Sequence, residues 1–259
     1  MSSVRWFDNH CHLTTGARKQ VEPADAIAEA AEFNVTRFLT VGCTVADSED
    51  AISVAADFDN VWATAGVHPH DAKDGIDGLR ELFEGSNRPV AVGEAGLDYH
   101  YSHSPHDVQA EVFSAQIQMA HQLDLALVIH SRSAWEDTFA ILDEQGVPSR
   151  TVFHCFTGGP EEAREALDRG CYLSFSGIVT FPSAPELREA ARLCPKDRLL
   201  VETDSPYLAP IPYRGKTNKP AWVSVVGAAV AEVRNQPVEE VAELTWDNGA
   251  ELYRLPSSL

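Results

Sequence analysis

Five apolar runs in this chain close on a His, Glu or Asp: Phe7-Asp8-Asn9-His10-Cys11-His12, Val90-Ala91-Val92-Gly93-Glu94, Leu127-Val128-Ile129-His130, Val152-Phe153-His154 and Leu200-Val201-Glu202-Thr203-Asp204. In an extended strand residues i and i+2 point to the same side, so His10 and His12 can grip one cation between them. Taken singly each residue has an ordinary explanation, since a buried His can be satisfied by a carbonyl and an Asp before a helix is often its cap. Taken together, His10, His12, Glu94, His130, His154 and Asp204 make a ligand set if the strand ends meet at one place. Imidazole and carboxylate donors without thiolate suit Zn²⁺, Mn²⁺ or Mg²⁺, and six exceed what one catalytic ion with an open position needs. Two divalent metal ions bridged by Glu94 is the division this suggests.

What must position them is a set of parallel strands. Strand patterns fall at 4–9, 37–42, 61–66, 89–94, 125–130, 151–154, 171–175 and 198–203, rich in Val, Ile, Leu and Phe and lacking a polar face, as parallel strands covered on both sides require. Helical patterns fall between them at 23–33, 47–57, 75–84, 105–122, 134–145, 160–169 and 184–193, with two more at 220–234 and 238–252. Pro23 and Pro160 suit first helical positions, and Gly146 and Gly170 suit reversals after helices. Eight strand–helix repeats in 259 residues predict an α/β fold, a single (β/α)8 TIM barrel domain over 1–259, with its site at the C-terminal ends of the strands. A doubly wound open sheet is the alternative, but no GxGxxG or GxxxxGK[ST] follows any strand. One aperiodic stretch, Tyr207 to Lys219, carries Arg214, Lys216 and Lys219, and its place after the last strand makes it a mouth loop for an anionic substrate.

Charge and composition narrow the function. A net charge of −19 repels polyanions unless cations reverse the field locally, which excludes non-specific binding to long duplex DNA. No apolar run approaches a membrane span, and Met1-Ser2-Ser3-Val4-Arg5 leads into the first strand without the pattern of a signal peptide. Five cysteines without a CxxC pair fit a reducing compartment, so a cytoplasmic location is expected. Cys11, Cys43, Cys155 and Cys171 read as small buried hydrophobes.

The stretches FDNHCHL, GVHPH, VGEAGLDYHYSHSP, VIHSR, VFHCFTG and VETDSPYLAP, followed by PYRGKTNKP, resemble the TatD family of metal-dependent hydrolases within the amidohydrolase-like barrels, from Phe7 to Glu251. The resemblance implies that His10, His12, Glu94 and Asp204 hold one ion and that Glu94, His130 and His154 hold the second. It also implies a 3′-to-5′ exonuclease acting on single-stranded DNA or short oligonucleotides. A compatible mechanism has two cations about 3.5–4 Å apart that activate a water and clamp the phosphodiester, with Asp204 as general base. His68, which ends the third strand, is expected to face phosphate, as are Arg214 and Lys216. Glu202 shares a strand face with Asp204 and is expected to orient a ligand His. Asp98 resembles a position the family keeps near its site. Ser133 stands where the family more often has Asp, which leaves the setting of Arg132 open. His70, His100, His103 and His106 are read as exposed. The chain is expected to work as a monomer. A competing reading is an amidohydrolase that cleaves a C–N or ester bond of a small or aminoacylated substrate. Such relatives often bridge their metals with a Lys after the fourth strand, where this chain has Glu94. A barrel that binds without catalysing is opposed by the presence of every expected ligand.

Overall fold

The largely apolar strand sequences need cover on both faces, and the structure supplies it with helices outside and side chains inside. The computed structural model describes residues 4–14 and 21–256; the expectation for Met1–Ser3 lies outside them. Eight parallel strands, β1 (Trp6–Cys11), β2 (Val35–Thr40), β3 (Val61–Ala65), β4 (Ala91–Asp98), β5 (Ala126–Arg132), β6 (Thr151–Phe153), β7 (Tyr172–Phe175) and β8 (Leu199–Val201), form one sheet in sequence order. Its ends meet through the turn after β8: Asp204 N–H donates to His10 O at 2.9 Å and His12 N–H to Ser205 O at 2.8 Å. The fold is therefore the predicted barrel.

The helices are α1 (Pro23–Ala31), α2 (Val45–Ala56), α3 (His106–Leu123), α4 (Trp135–Gln145), α5 (Pro160–Asp168), α6 (Pro185–Leu193), α7 (Val223–Arg234) and α8 (Val238–Tyr253). Local signals explain their ends. Thr44 caps α2 by accepting from Asp47 N–H, Pro23 and Pro160 open α1 and α5, and Gly146 (φ 80°) reverses the chain after α4. The helix expected at 75–84 does not form. Two 3-10 turns, Pro69–Asp74 and Arg80–Phe83, take its place, because Gly75 (φ 76°) and Gly78 (φ 87°) hold a backbone conformation that no helix continues.

Alternation along the strands sorts the core. Leu127, Ile129, Phe153, Leu199 and Val201 join the large cluster under the helices. Val128, Val152 and Leu200 instead pack with Phe7, Leu39 and the Leu252–Tyr253 end of α8 in a second cluster that fills the barrel. Counting by twos from those inward residues reaches His130, His154, Glu202 and Asp204, so these side chains follow the inward face to the mouth. His10 and Glu94 do not share that parity with Phe7 and Ala91. Register shifts bring them in: β1 slips against β2 between Asp8 and Cys11, and β4 slips against β5 between Val92 and Ala95. An extra residue in one strand of a pair re-aims the side chains beyond it.

Candidate active site

Glu94 lies at the centre, 3% exposed, and its two carboxylate oxygens face different partners. Oε1 is 2.7 Å from His154 Nε2, 3.0 Å from His130 Nδ1 and 3.4 Å from His68 Nε2. Oε2 is 3.5 Å from His10 Nε2 and 3.7 Å from Cys43 Sγ. On that second side Asp204 Oδ1 stands 3.4 Å from His12 Nε2 and 3.8 Å from His10 Nε2. Donor atoms of His10, His12 and Asp204 form one compact group and those of His10, Glu94 and His154 another. Glu94 thus turns one carboxylate oxygen toward His130 and His154 and the other toward His10, a donor set that can hold divalent cations.

The hydrogen bonds on the far side of each imidazole test whether the site fits cations. His154 Nδ1 meets Glu202 Oε1 at 3.2 Å, and His130 Nε2 meets Asp98 Oδ2 at 3.1 Å. An ionised carboxylate only accepts, so both of these nitrogens carry the proton in neutral rings. The lone pairs of His154 Nε2 and His130 Nδ1 then point at the lone pairs of Glu94 Oε1. Only a cation, or a proton, makes that contact favourable. His10 adds to this: it is fully buried, and neither ring nitrogen has a hydrogen-bond partner, a cost that a cation at Nε2 would relieve.

The electrostatics of the site follow from the same contacts. Burial alone would raise the Glu94 carboxyl, but the histidines around it, His154 foremost, hold it well below the usual carboxylate range. Burial pushes His154 down, and the opposing charges of Glu94 and Glu202 carry it well above an ordinary His.

His68 differs from the others. Its Nδ1 accepts the His70 N–H at 3.1 Å, so a neutral ring presents Nε2–H toward Glu94 Oε1, and burial drives its pKa well below that of an ordinary His. Distance alone groups it with Glu94 and His130, but its tautomer makes it a donor. Glu202 also accepts the Cys155 N–H at 2.8 Å and is fully buried. Asp98 takes the N–H groups of His100 and Tyr101 on Oδ1, both at 2.9 Å, and both His130 and His70 on Oδ2, each at 3.1 Å.

Some placements differ from the sequence expectation. His70 is half-buried, lines the cavity and is tied to Asp98, because the 3-10 turn that begins at Pro69 folds it inward. His100, His103 and His106 are exposed. Arg214 and Lys216 are exposed and do not line the cavity; Arg214 lies over the Phe181 ring at 3.7 Å. Lys219 is held by Glu29 at 2.7 Å. The cation that does line the cavity is Arg132, whose guanidinium sits 4.7 Å over the Tyr101 ring. Ser133 beside it is exposed, with φ 55°. Sequence reasoning singled out neither Arg132 nor Cys43 as a site residue. A signal for Arg132 was its position two residues past His130, which alternation carries to the same face of β5.

The cavity over these residues has a volume of about 850 Å³ and is also lined by Asp47, Asp71 and Tyr207. A barrel with a carboxylate-bridged pair of imidazole and carboxylate donor groups at the strand ends defines a metal-dependent hydrolase. The family is that of the TatD related DNases, whose sequence model matches residues 7–254, and the chain belongs to it. It is 43% identical over 258 residues to the Escherichia coli uncharacterized metal-dependent hydrolase YcfH, covering 97% of this chain and 96% of the relative. It is 37% identical over 241 residues to the 3′-5′ ssDNA/RNA exonuclease TatD of Cronobacter sakazakii, covering 88% and 90%. The crystal structure of the TatD homologue YjjV from Escherichia coli superposes with a TM-score of 0.90 at 25% identity, covering 98% of this chain and 99% of that one. Among the described residues no helix is long and apolar enough to cross a membrane.

Proposed function

We propose that this hydrolase cleaves phosphodiesters, removing nucleotides from the 3′ end of single-stranded DNA or short oligonucleotides. The observation that carries the reading is the division of Glu94, with Oε1 toward His130 and His154 and Oε2 toward His10, beside His12 and Asp204. These six residues would hold two divalent cations, Mg²⁺, Mn²⁺ or Zn²⁺. When bound, such ions supply Lewis acidity that lowers the pKa of water and offset the charge on a phosphodiester. The rest is done by the chain. Asp204, held below the usual carboxylate range by the neighbouring histidines although burial opposes it, takes a proton from the attacking water. His68 donates from Nε2 to a phosphate oxygen, and Arg132 holds a second phosphate at the cavity wall. Asp98 and Glu202 keep His130 and His154 in the required tautomers.

Charge supports a small end of a single strand over a duplex. The cavity carries Asp47, Asp71, Glu94, Asp98 and Asp204 against Arg132, so an anion enters only when cations are present. Its volume suits a ligand of nucleotide size. The relative from Cronobacter sakazakii carries a single-strand exonuclease name, which agrees. The five cysteines are all free, which agrees with work in the cytoplasm, and nothing in the mechanism calls for a second copy of the chain. The test is release of mononucleotides from a 5′-labelled single-stranded oligonucleotide by metal-free protein reloaded with Mn²⁺, abolished by EDTA and by Glu94→Ala. Glu94→Ala should also lose most bound metal; two ions retained by elemental analysis would refute the bridge. No nucleotide release with any of the three metals, alongside turnover of an N-acyl amide, would replace this reading with amide hydrolysis.

A further inference from the structure

We propose that Cys43, with His12 and Glu94, forms a position for a thiophilic divalent cation that borrows donors from the catalytic pair. The inference rests on the metal-hydrolase reading of the same pocket. Cys43 Sγ lies 3.7 Å from Glu94 Oε2 and 3.9 Å from His12 Nδ1, and the three donor atoms form a compact group within 4.8 Å of one another. A tetrahedral ion with bonds of about 2.0 Å to nitrogen or oxygen and about 2.3 Å to sulfur sets neighbouring ligands about 3.5 Å apart. The two separations from Cys43 exceed that by a few tenths of an ångström, within the reach of small side-chain rotations.

His12 shows that this is a separate position. Its Nε2 faces Asp204 Oδ1 at 3.4 Å while its Nδ1 faces the thiol, and one imidazole cannot turn both nitrogens on one ion. The carboxylate oxygen that Cys43 faces also has a neighbour without a partner of its own. His10 Nε2, fully buried and without a hydrogen-bond partner, faces the Glu94 Oε2 that Cys43 also faces, at 3.5 Å.

Sulfur decides which ions go there. A thiolate favours Zn²⁺, Cd²⁺ and Co²⁺ and is a poor ligand for Mg²⁺. On coordination the sulfur gives a lone pair to the ion and its proton passes to solvent. Because the ion takes Glu94 Oε2 and His12, excess Zn²⁺ or Cd²⁺ competes with the catalytic arrangement and inhibits the Mn²⁺-loaded enzyme.

The test is a Co²⁺ titration of the metal-free full chain, followed by absorption. The expected result is a thiolate-to-cobalt charge-transfer band in the near ultraviolet that is lost in Cys43→Ser and Cys43→Ala. Cys155→Ser, which removes the other thiol lining the cavity, should keep it. The weaker visible cobalt bands should persist in the Cys43 variants and show that fold and remaining donors are intact. Competition against Mn²⁺ should show Cd²⁺ preference falling about 10-fold or more in Cys43→Ser, the scale on which a single partner moves metal affinity. Visible bands without charge transfer in the wild type would overturn the thiol position alone, as would a band that survives both Cys43 variants or disappears in Cys155→Ser. No cobalt bands of either kind would overturn the metal-site reading as well.

Discussion

Asp98→Asn isolates the control of tautomer from the control of shape. Oδ1 of Asp98 accepts the backbone N–H groups of His100 and Tyr101, and an Asn can keep its own oxygen there, so the turn after β4 stays in place. The Asn nitrogen then replaces Oδ2 and meets His130 Nε2 and His70 Nε2, each now 3.1 Å away, with a donor in place of an acceptor. His130 must answer with a lone pair at Nε2, which moves its proton to Nδ1. That is the nitrogen that faces Glu94 Oε1 at 3.0 Å and that would hold the cation.

The magnitude follows from the kind of interaction lost. Exchanging the partner behind a ligating His costs about 10–100-fold in metal affinity, which is about 1.4–2.8 kcal/mol at 1.4 kcal/mol per factor of ten. Ion binding on the Asp204 side should change little, because His10 and His12 do not touch Asp98. Isothermal titration of metal-free protein with Mn²⁺ should therefore show one weakened and one nearly unchanged step, and excess Mn²⁺ should restore much of the rate. Thermal unfolding of the metal-free variant should stay close to wild type. Unchanged affinity for both ions would refute the tautomer argument. Equal loss at both steps with a large drop in Tm would mean that Asp98 holds the loop and nothing more.

Three further outcomes test other parts of the site. His68→Ala should keep two metals yet lose on the order of 10²-fold in kcat/KM on a single-stranded oligonucleotide, the scale of removing one positioned donor; a parallel fall in metal stoichiometry by mass spectrometry would make His68 a ligand. Arg132→Ala should raise KM by about 10–100-fold, as loss of a hydrogen bond to a charged group does, whereas Arg214→Ala with Lys216→Ala should raise KM less and mainly flatten its salt dependence; an unchanged salt slope in the double variant would remove that loop from substrate contact. Gly96→Ala places a Cβ 2.0 Å from His130 O at φ 143°, so it should cost on the order of 2–4 kcal/mol in urea unfolding and lower metal content, and a variant as stable as wild type would show that β4 and β5 separate freely there.

Type and order of the elements were legible because both depend on local pattern. The five runs that end in His, Glu or Asp lie on strands or the turns after them, and the inward parity of Val128, Val152 and Leu200 leads to His130, His154 and Asp204 as alternation requires. The helix expected at 75–84 does not form because its apolar spacing spans Gly75 and Gly78, whose positive-φ backbone ends any helix. The placement of the substrate cations is less legible for a different reason. Density of charge in sequence pointed to Arg214 and Lys216, but a loop's direction is a tertiary property, and the lone Arg132 reaches the cavity because it stands on a strand.

The inward aim of His10 and Glu94, expected from the ligand set, is what simple alternation along a strand does not explain. A strict period of two sends them to the helix side of the barrel, and without the slips in β1 and β4 no carboxylate would lie between the donor groups. In β4 the cue was present, since Gly93 and Gly96 sit inside a strand where glycine marks a bulge or a close approach of backbones. At Gly93 a Cβ would lie 2.6 Å from Val128 O, with φ at 140°. In β1 no glycine gives the cue, and the burden falls on Asp8, which is fully buried and accepts both the N–H and the hydroxyl of Thr203. That clasp ties β1 to the end of β8 one residue before Asp204, whose own backbone is left-handed at φ 56°, a conformation Asp tolerates better than most residues. The Asp8–Thr203 clasp thus joins the slipped stretch of β1 to the turn that presents Asp204 beside His10, a contact between residues 195 apart in sequence.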